Sequence, residues 1–261
     1  AFVWYLTSYE VNSIACSILV AADAVRRARA RRSPDLVVVH TVSTVPMPER
    51  FKKLKIRLIR VVEPQAQGKH QWVGSFTKLR VAELFEYDRV VYFDVDTYPL
   101  SSMDYLFDIA EFPLEIAAPR AYWLPQPFVQ SGGPMVIDPR RLFFNRDFKQ
   151  ALDAGGGRHY DSEMDWVNEK FRDSIVMLHG FHAMLVGEWC ITDGIYKHWQ
   201  KHFGQSADWV LRHAPLVHFI ADWKPWQITT EERLDEKCPG AQPQLKQVFH
   251  KWWSDRDRLC H

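Results

Sequence analysis

A chain of 261 residues that is 47% hydrophobic and 14% aromatic can bury one sizeable core, and its length predicts one domain over residues 1–261. With 33 Lys and Arg against 32 Asp and Glu, the formal charge is +1, so no global field points to a nucleic-acid partner or a membrane surface. No apolar run approaches the ~18 residues of a membrane span, and Cys16, Cys190, Cys238 and Cys260 lack the Cys-x-x-Cys spacing of zinc or thioredoxin-type sites.

The chain opens directly on a strand-like run, Phe2 to Leu6, so any signal, stem or membrane anchor is expected only upstream of residue 1. Thr7 to Glu10 reads as a strand-to-helix loop. Val11 to Arg32 follows as a long helix, with Ile14, Ile18, Leu19, Ala22 and Val25 at helical spacing. Arg26, Arg27, Arg29, Arg31 and Arg32 crowd its end, where cations suit the dipole, and read as a solvated helix end. Leu36 to Thr41 and Ile56 to Val62 are the next strands, with a short helix over Glu49 to Lys53 between them. From Ser75 to Phe85 the pattern is helical and feeds a strand at Val90 to Phe93. Strand and helix alternating in this way predict an α/β fold with a largely parallel, Rossmann-like sheet and flanking helices, residues 1–100 forming a nucleotide-binding half and 101–261 an acceptor-side half.

The fourth strand ends in charge. Asp94 and Asp96 flank Val95, so in an extended segment both carboxylates point to one side and can approach a single divalent cation. Their place at the carboxyl end of a strand in an open α/β sheet is where ligands bind, and a hard cation held by carboxylates commonly completes its shell with phosphate oxygens. Two enzyme classes place acids there: nucleotide-sugar transferases of the GT-A fold, and haloacid-dehalogenase-like phosphatases. The second fits poorly, because some ninety residues precede the motif and no later Asp-Asp pair completes a magnesium site.

Beyond the acids, Met103 to Phe107 reads as a short helix, and Glu115 to Pro119 and Pro134 to Pro139 as strands. Gly155-Gly156-Gly157 is a loop and not a phosphate cradle, since it follows a helix. Ser162 and Asp165 form a capping box for a helix through Phe171. Ile175 to Leu178 and Leu216 to Ile220 are later strands. After Lys224 the chain reads as loop until a helix over about Gln244 to Trp253. Trp189, Trp199, Trp209 and Trp223 suit core packing better than a sugar groove. A Cys238–Cys260 disulfide is conceivable, and spacing alone leaves it open.

Four blocks carry a likeness: AFVWYLTS at 1–8, TKLRVAELFEYDRVVYFDVDTYPL at 77–100, SGGPMVIDP at 131–139 and HFIADWKPW at 218–226. In content and order they resemble the family 8 retaining glycosyltransferases, the glycogenin-like superfamily. APRAYWL at 118–124, EMDWVN at 163–168 and RDSIVMLHGFHAMLVGEW at 172–189 are similar to the fungal branch that transfers N-acetylglucosamine in the Golgi. The likeness implies a GT-A fold, a UDP-sugar donor and Asp94, Asp96 and His218 as ligands of a metal, with the imidazole favouring manganese over magnesium. It further implies that Lys78 and Lys224 hold the diphosphate, that Leu6, Thr7 and Ser8 receive uracil and ribose, and that Val95, Ser131 and Gly132 line the donor site.

Three departures from the family stand out. Val11 stands where the family often has a tyrosine that stacks on uracil, so that either Tyr9 substitutes for it or the stacking is absent. The sugar-binding Asn-Ser-Gly turn is here Ser131-Gly132-Gly133. The Asp of an Asp-Gln motif falls on Glu163, so Asp161, Glu163 and Asp165 are all candidates for the carboxylate facing the sugar, with Glu163 slightly favoured. The expectation is a manganese-dependent retaining transferase of N-acetylglucosamine to a hydroxyl of a glycan or glycoconjugate. The alternatives are a glycogenin-like glucosyltransferase and an inactive nucleotide-sugar or glycan-binding module. The branch likeness implies the Golgi lumen, and the alternative compartment is the cytoplasm.

Overall fold

Alternation along the first strand sets the layers. In β1, Phe2–Leu6, the side chains of Phe2, Trp4 and Leu6 enter a core on one face of a sheet, and that of Val3 enters the core on the other. The computed structural model describes residues 1–28, 33–62, 73–109, 115–143, 148, 162–190 and 204–261. In chain order its further strands are β2 (Leu36–His40), β3 (Ile56–Arg60), β4 (Val90–Tyr92), β5 (Thr97–Pro99), β6 (Ile116–Pro119), β7 (Met135–Ile137), β8 (Val176–Leu178), β9 (Met184–Leu185) and β10 (Leu216–His218).

Seven of them form the main sheet in the order β3-β2-β1-β4-β7-β6-β8. β3, β2, β1 and β4 run parallel, with Phe2 opposite both Leu36 and Val91, whereas β7 is antiparallel to β4 and β6. Every residue of β2 is buried, as expected of a strand covered on both faces. The helix Val11–Arg27 lies on the face of Phe2 and Trp4. A 3-10 segment, Val73–Glu83, and the helix Glu163–Lys170 cover the other face through Phe76, Leu79, Val81, Trp166 and Val167. The turn expected as an α-helix from Ser75 is therefore 3-10 helical.

A small second sheet, β5-β10-β9, stands beside the first. Its pairing of Thr97 with His218 joins residues far apart in sequence and draws the late histidine to the end of β4. Below it a third core gathers Tyr98, Trp189, Val217, Phe219, Trp223, Phe249 and Trp252. Trp189 and Trp223 are thus core residues, Trp209 packs against His213, and Trp199 lies outside the described residues.

The second half of the chain holds more helix than its sequence suggests. Ala207–His213 is capped by Ser206, and Glu231–Lys237 occupies a stretch expected as loop, capped by Thr230. The last helix runs from Pro243 to Cys260. The cysteine pairing, left open by the sequence, is not the Cys238–Cys260 bridge that is conceivable there. Cys260 at the end of that helix bonds Cys16 on the first helix, and Cys238 bonds Cys190, each pair with Cα atoms 5.8 Å apart. Packing of the two terminal helices, which sequence spacing does not reveal, decides the partner. Residues 29–32 with Arg29, Arg31 and Arg32, and the Gly155–Gly157 loop, lie outside the described residues. Among those described, no helix is long and apolar enough to cross a membrane.

Candidate active site

Strand β4 stops at Tyr92, and the chain turns over Val95 and Asp96 before β5 begins. The aspartates therefore converge through a turn rather than by alternation along an extended strand. Four hydrogen bonds hold the turn. Asp94 N donates to Gly132 O (2.9 Å) and Phe219 N to Asp96 O (2.8 Å). The buried Ser17 hydroxyl of the first helix donates to Val95 O (2.6 Å), and Thr97 Oγ1 donates to Asp94 O (2.7 Å). Neither Ser17 nor Thr97 carries a sequence signal for this work, since a small polar residue on a helix face or at a strand start is ordinary.

With the turn pinned, one potential ligand atom from each of Asp94, Asp96 and His218 lies within 4.8 Å of the others. His218 Nε2 is 3.2 Å from Asp96 Oδ1. The approach depends on a glycine: a Cβ at Gly132 would lie 2.2 Å from His218 Cε1, so no other residue fits there without moving the ring. The Ser131-Gly132-Gly133 turn thus gives up side-chain donors and makes room for the imidazole.

The site is strongly charged and mostly buried. Lys78 Nζ is 2.9 Å from Asp94 Oδ1 and 2.6 Å from Glu163 Oε1, its side chain only 4% exposed. Ser131 Oγ donates to the same Glu163 oxygen at 2.6 Å, and the Tyr92 hydroxyl donates to Asp94 Oδ1. Lys224 Nζ donates to Asp96 Oδ2 and, at 2.7 Å, to Phe219 O. Burial pushes the Asp94 carboxyl up, and repulsion by Asp96 adds to this against the pull of Lys78, leaving it above the usual range. Burial acts on Asp96 in the same sense but is outweighed by the adjacent His218 and Lys224 and by the hydrogen bond from Lys224, which hold its carboxyl well below that range. Glu163 is likewise held low, burial being overcome by Lys78 and by hydrogen bonds from Lys78 and Ser131. Burial alone would lower Lys78, yet Asp94 and Glu163 together raise it.

Other residues singled out in the sequence fall around this cluster. Leu6 ends β1 with its side chain in the core, Thr7 is half-buried, and Ser8 and Tyr9 are exposed. Val95 turns its side chain inward. Asp165 is exposed and serves the helix cap, accepting from Ser162 Oγ at 2.9 Å while its N–H donates back to that hydroxyl at 3.3 Å. Of the three candidate carboxylates, Glu163 alone among the described residues joins the cluster, and Asp161 lies outside them.

Whether this cluster suits a divalent cation follows from its donors. Two carboxylates and an imidazole are a transition-metal set. Asp96 Oδ1 and His218 Nδ1 are buried with no hydrogen-bond partner among the described residues. Three carboxylates, Asp94, Asp96 and Glu163, face two ammonium groups, Lys78 and Lys224, so a cation also improves the charge balance. The residues fit.

No family model matches the chain. A protein named glucose N-acetyltransferase 1 from Gibberella zeae is 32% identical over 205 residues, covering 72% of this chain and 44% of that protein. Human glycogenin-2 is 27% identical over 256 residues, 93% of this chain and 48% of its own length. The chain thus spans about half the length of the curated relatives it matches. Among solved structures, the bifunctional glycosyltransferase WbbM aligns with a TM-score of 0.66 at 14% identity, over 96% of this chain and 51% of that one. The galactosyltransferase LgtC, in complex with donor and acceptor sugar analogs, aligns at 0.62 and 15% identity, over 97% and 95%. These structures share the GT-A fold. Fold and sequence likeness together place the chain in the family 8, glycogenin-like glycosyltransferases.

Proposed function

We propose that this chain carries the catalytic region of a retaining glycosyltransferase that moves N-acetylglucosamine from a UDP-sugar to a hydroxyl of a glycan or glycoconjugate. The convergence of Asp94, Asp96 and His218 beside two lysines is the observation that carries the reading. Asp94, Asp96 and His218 would hold the cation, manganese by donor chemistry with magnesium as second choice, and it would stabilise negative charge on the departing diphosphate.

The chain's own residues do the rest. Lys224, whose side chain is 20% exposed, supplies a positive charge near the surface of the site, where it can meet phosphate oxygens. Lys78 is a buried charge between Asp94 and Glu163, holding Glu163 ionised and pulling Asp94 in the same sense against burial. Glu163, held anionic by Lys78 and Ser131, steadies positive charge at the anomeric carbon. Retention then follows either from a short-lived covalent intermediate or from attack on the leaving-group side. Leu6 to Tyr9 receives the nucleoside, with Ser131 and Gly132 facing the sugar. Two disulfides among the four cysteines support an oxidising compartment, in keeping with the Golgi lumen rather than the cytoplasm.

Release of UDP from a panel of UDP-sugars, with and without manganese and repeated on Asp96→Asn, tests the reading. Manganese-dependent turnover with UDP-N-acetylglucosamine, lost in the variant, is expected. Preference for UDP-glucose would shift the reading to a glycogenin-like glucosyltransferase. Donor binding with no turnover would make the chain a nucleotide-sugar-binding module, and metal-independent turnover would overturn the site.

A further inference from the structure

Residue 10 breaks two local rules at once. Glu10 immediately precedes the helix Val11–Arg27 in a left-handed conformation, φ 40° and ψ 40°, which is strained for a residue other than glycine. Its side chain does not cap the helix, as the short polar residues favoured at this position would. Both carboxylate oxygens turn away: Oε2 accepts from Trp226 Nε1 at 2.7 Å, and Oε1 accepts from Gln227 Nε2 at 3.1 Å. A strained backbone kept for the sake of a distant contact marks a place where the fold gives up local stability for positioning.

The residues that grip Glu10 belong to the turn bearing Lys224. Gln227 N and Ile228 N both donate to Lys224 O, at 2.9 and 3.0 Å. Trp253 of the last helix holds the same turn, its indole N–H reaching Pro225 O at 3.1 Å and Ile228 O at 2.9 Å. That helix is bonded through Cys260 to Cys16 on the first helix, which begins directly after Glu10. The contacts therefore form a closed ring: first helix, disulfide, last helix, Lys224 turn, and back through Glu10. On the other side of Glu10 stand Ser8 and Tyr9, Tyr9 with 70% of its surface exposed.

We infer that Glu10 is a positioning residue that locks the nucleoside-receiving loop, Leu6 to Tyr9, to the Lys224 turn. The two ends of a nucleoside diphosphate then meet groups held at one fixed separation. The inference rests on the proposed nucleotide-sugar chemistry and adds to it a residue that touches neither sugar nor metal. The Lys224 turn keeps its own anchor on Trp253 when Glu10 is lost, so the nucleoside end of the site suffers and the phosphate end does not.

Calorimetric binding of UDP and of inorganic pyrophosphate, each with manganese, to the full chain separates the possibilities. Glu10→Ala is expected to weaken UDP about 10-fold, as for loss of a charged hydrogen-bond pair, with pyrophosphate unchanged. In turnover, KM for the donor rises by a similar factor and kcat changes less. Glu10→Gln keeps one acceptor oxygen and is expected to be intermediate. Glu10→Gly relieves the left-handed strain, so it melts no lower than Glu10→Ala yet binds UDP as weakly. Trp226→Phe removes the indole N–H while keeping an aromatic ring against the third core, so it weakens UDP in the same direction even where the Glu10 variants fold poorly. Equal UDP affinity in wild type and Glu10→Ala, or equal losses of UDP and pyrophosphate, would overturn the inference alone. Failure of the wild type to bind UDP would overturn the donor reading beneath it.

Discussion

Two lysines hold the two aspartates of the site, and they hold them differently. Lys78 is squeezed between Asp94 and Glu163 with 4% of its side chain exposed, whereas Lys224 grips Asp96 from a position 20% exposed. The difference follows from the elements that carry them. Lys78 sits on the 3-10 segment packed against the main sheet beside Tyr92, whose ring lies 5.7 Å from the ammonium. Lys224 sits in a turn after the small sheet. One ammonium is enclosed by the fold, and under the proposed function the other is the one that meets a substrate. A cluster of like composition thus divides into a structural arm and a working arm.

Exchanging each lysine in turn is the sharpest way to break this contrast. Lys78→Met leaves Asp94 and Glu163 buried without their partner and is expected to cost about 3–5 kcal/mol in urea unfolding. Lys224→Met is expected to cost less, about 1–3 kcal/mol of stability, because Asp96 keeps His218 beside it and Lys224 is itself 20% exposed, while lowering turnover about 100-fold. Equal stability losses in the two variants would erase the distinction.

Gly132→Ala probes the working arm without touching a charge. The added methyl must displace His218, so manganese affinity is expected to fall about 10-fold or more, while urea stability falls by less than in Lys78→Met because the Lys78 arm is left intact. The structural arm has a smaller signature in acid. Glu163 has its carboxyl held below the unfolded value, so the stability it contributes is complete above the ordinary glutamate pKa of about 4.3 and is lost as pH falls through the folded value. Asp94, raised by burial, acts in the opposite sense, its contribution being lost as pH rises above the ordinary aspartate value. Glu163→Gln is therefore expected to flatten the acid limb of stability against pH, measured by urea midpoints between pH 3 and 6; an unchanged limb would remove Glu163 from the charged network.

What sequence alone reveals here is what local patterns encode. The β-branched run at Val90 to Tyr92, the periodic face of Val11 to Arg27 and the Ser162–Asp165 cap are each set by neighbours within a few residues, and each is legible. The small sheet is not, because β5, β9 and β10 are two or three residues long and exist through pairings such as Thr97 with His218. For the same reason the turn through Asp94 and Asp96 reads as an extended strand until Gly132 and Phe219 are seen to clamp it. The Cys16–Cys260 bridge and the Glu10 clasp join the two ends of the chain, and no spacing rule reports such distances. The resemblance singles out His218 because His-x5-Lys-Pro-Trp is a motif, and the structure shows why the distance works: β10 pairs with β5 directly after the aspartates.

Manganese titration of the metal-free protein, followed by paramagnetic resonance of the free ion, tests the central arrangement most directly. One bound ion per chain is expected, tightened by added UDP, with the site lost in both Asp96→Asn and His218→Ala while their urea midpoints stay close to wild type. Undiminished binding in either variant would contradict convergence of Asp94, Asp96 and His218 on one cation.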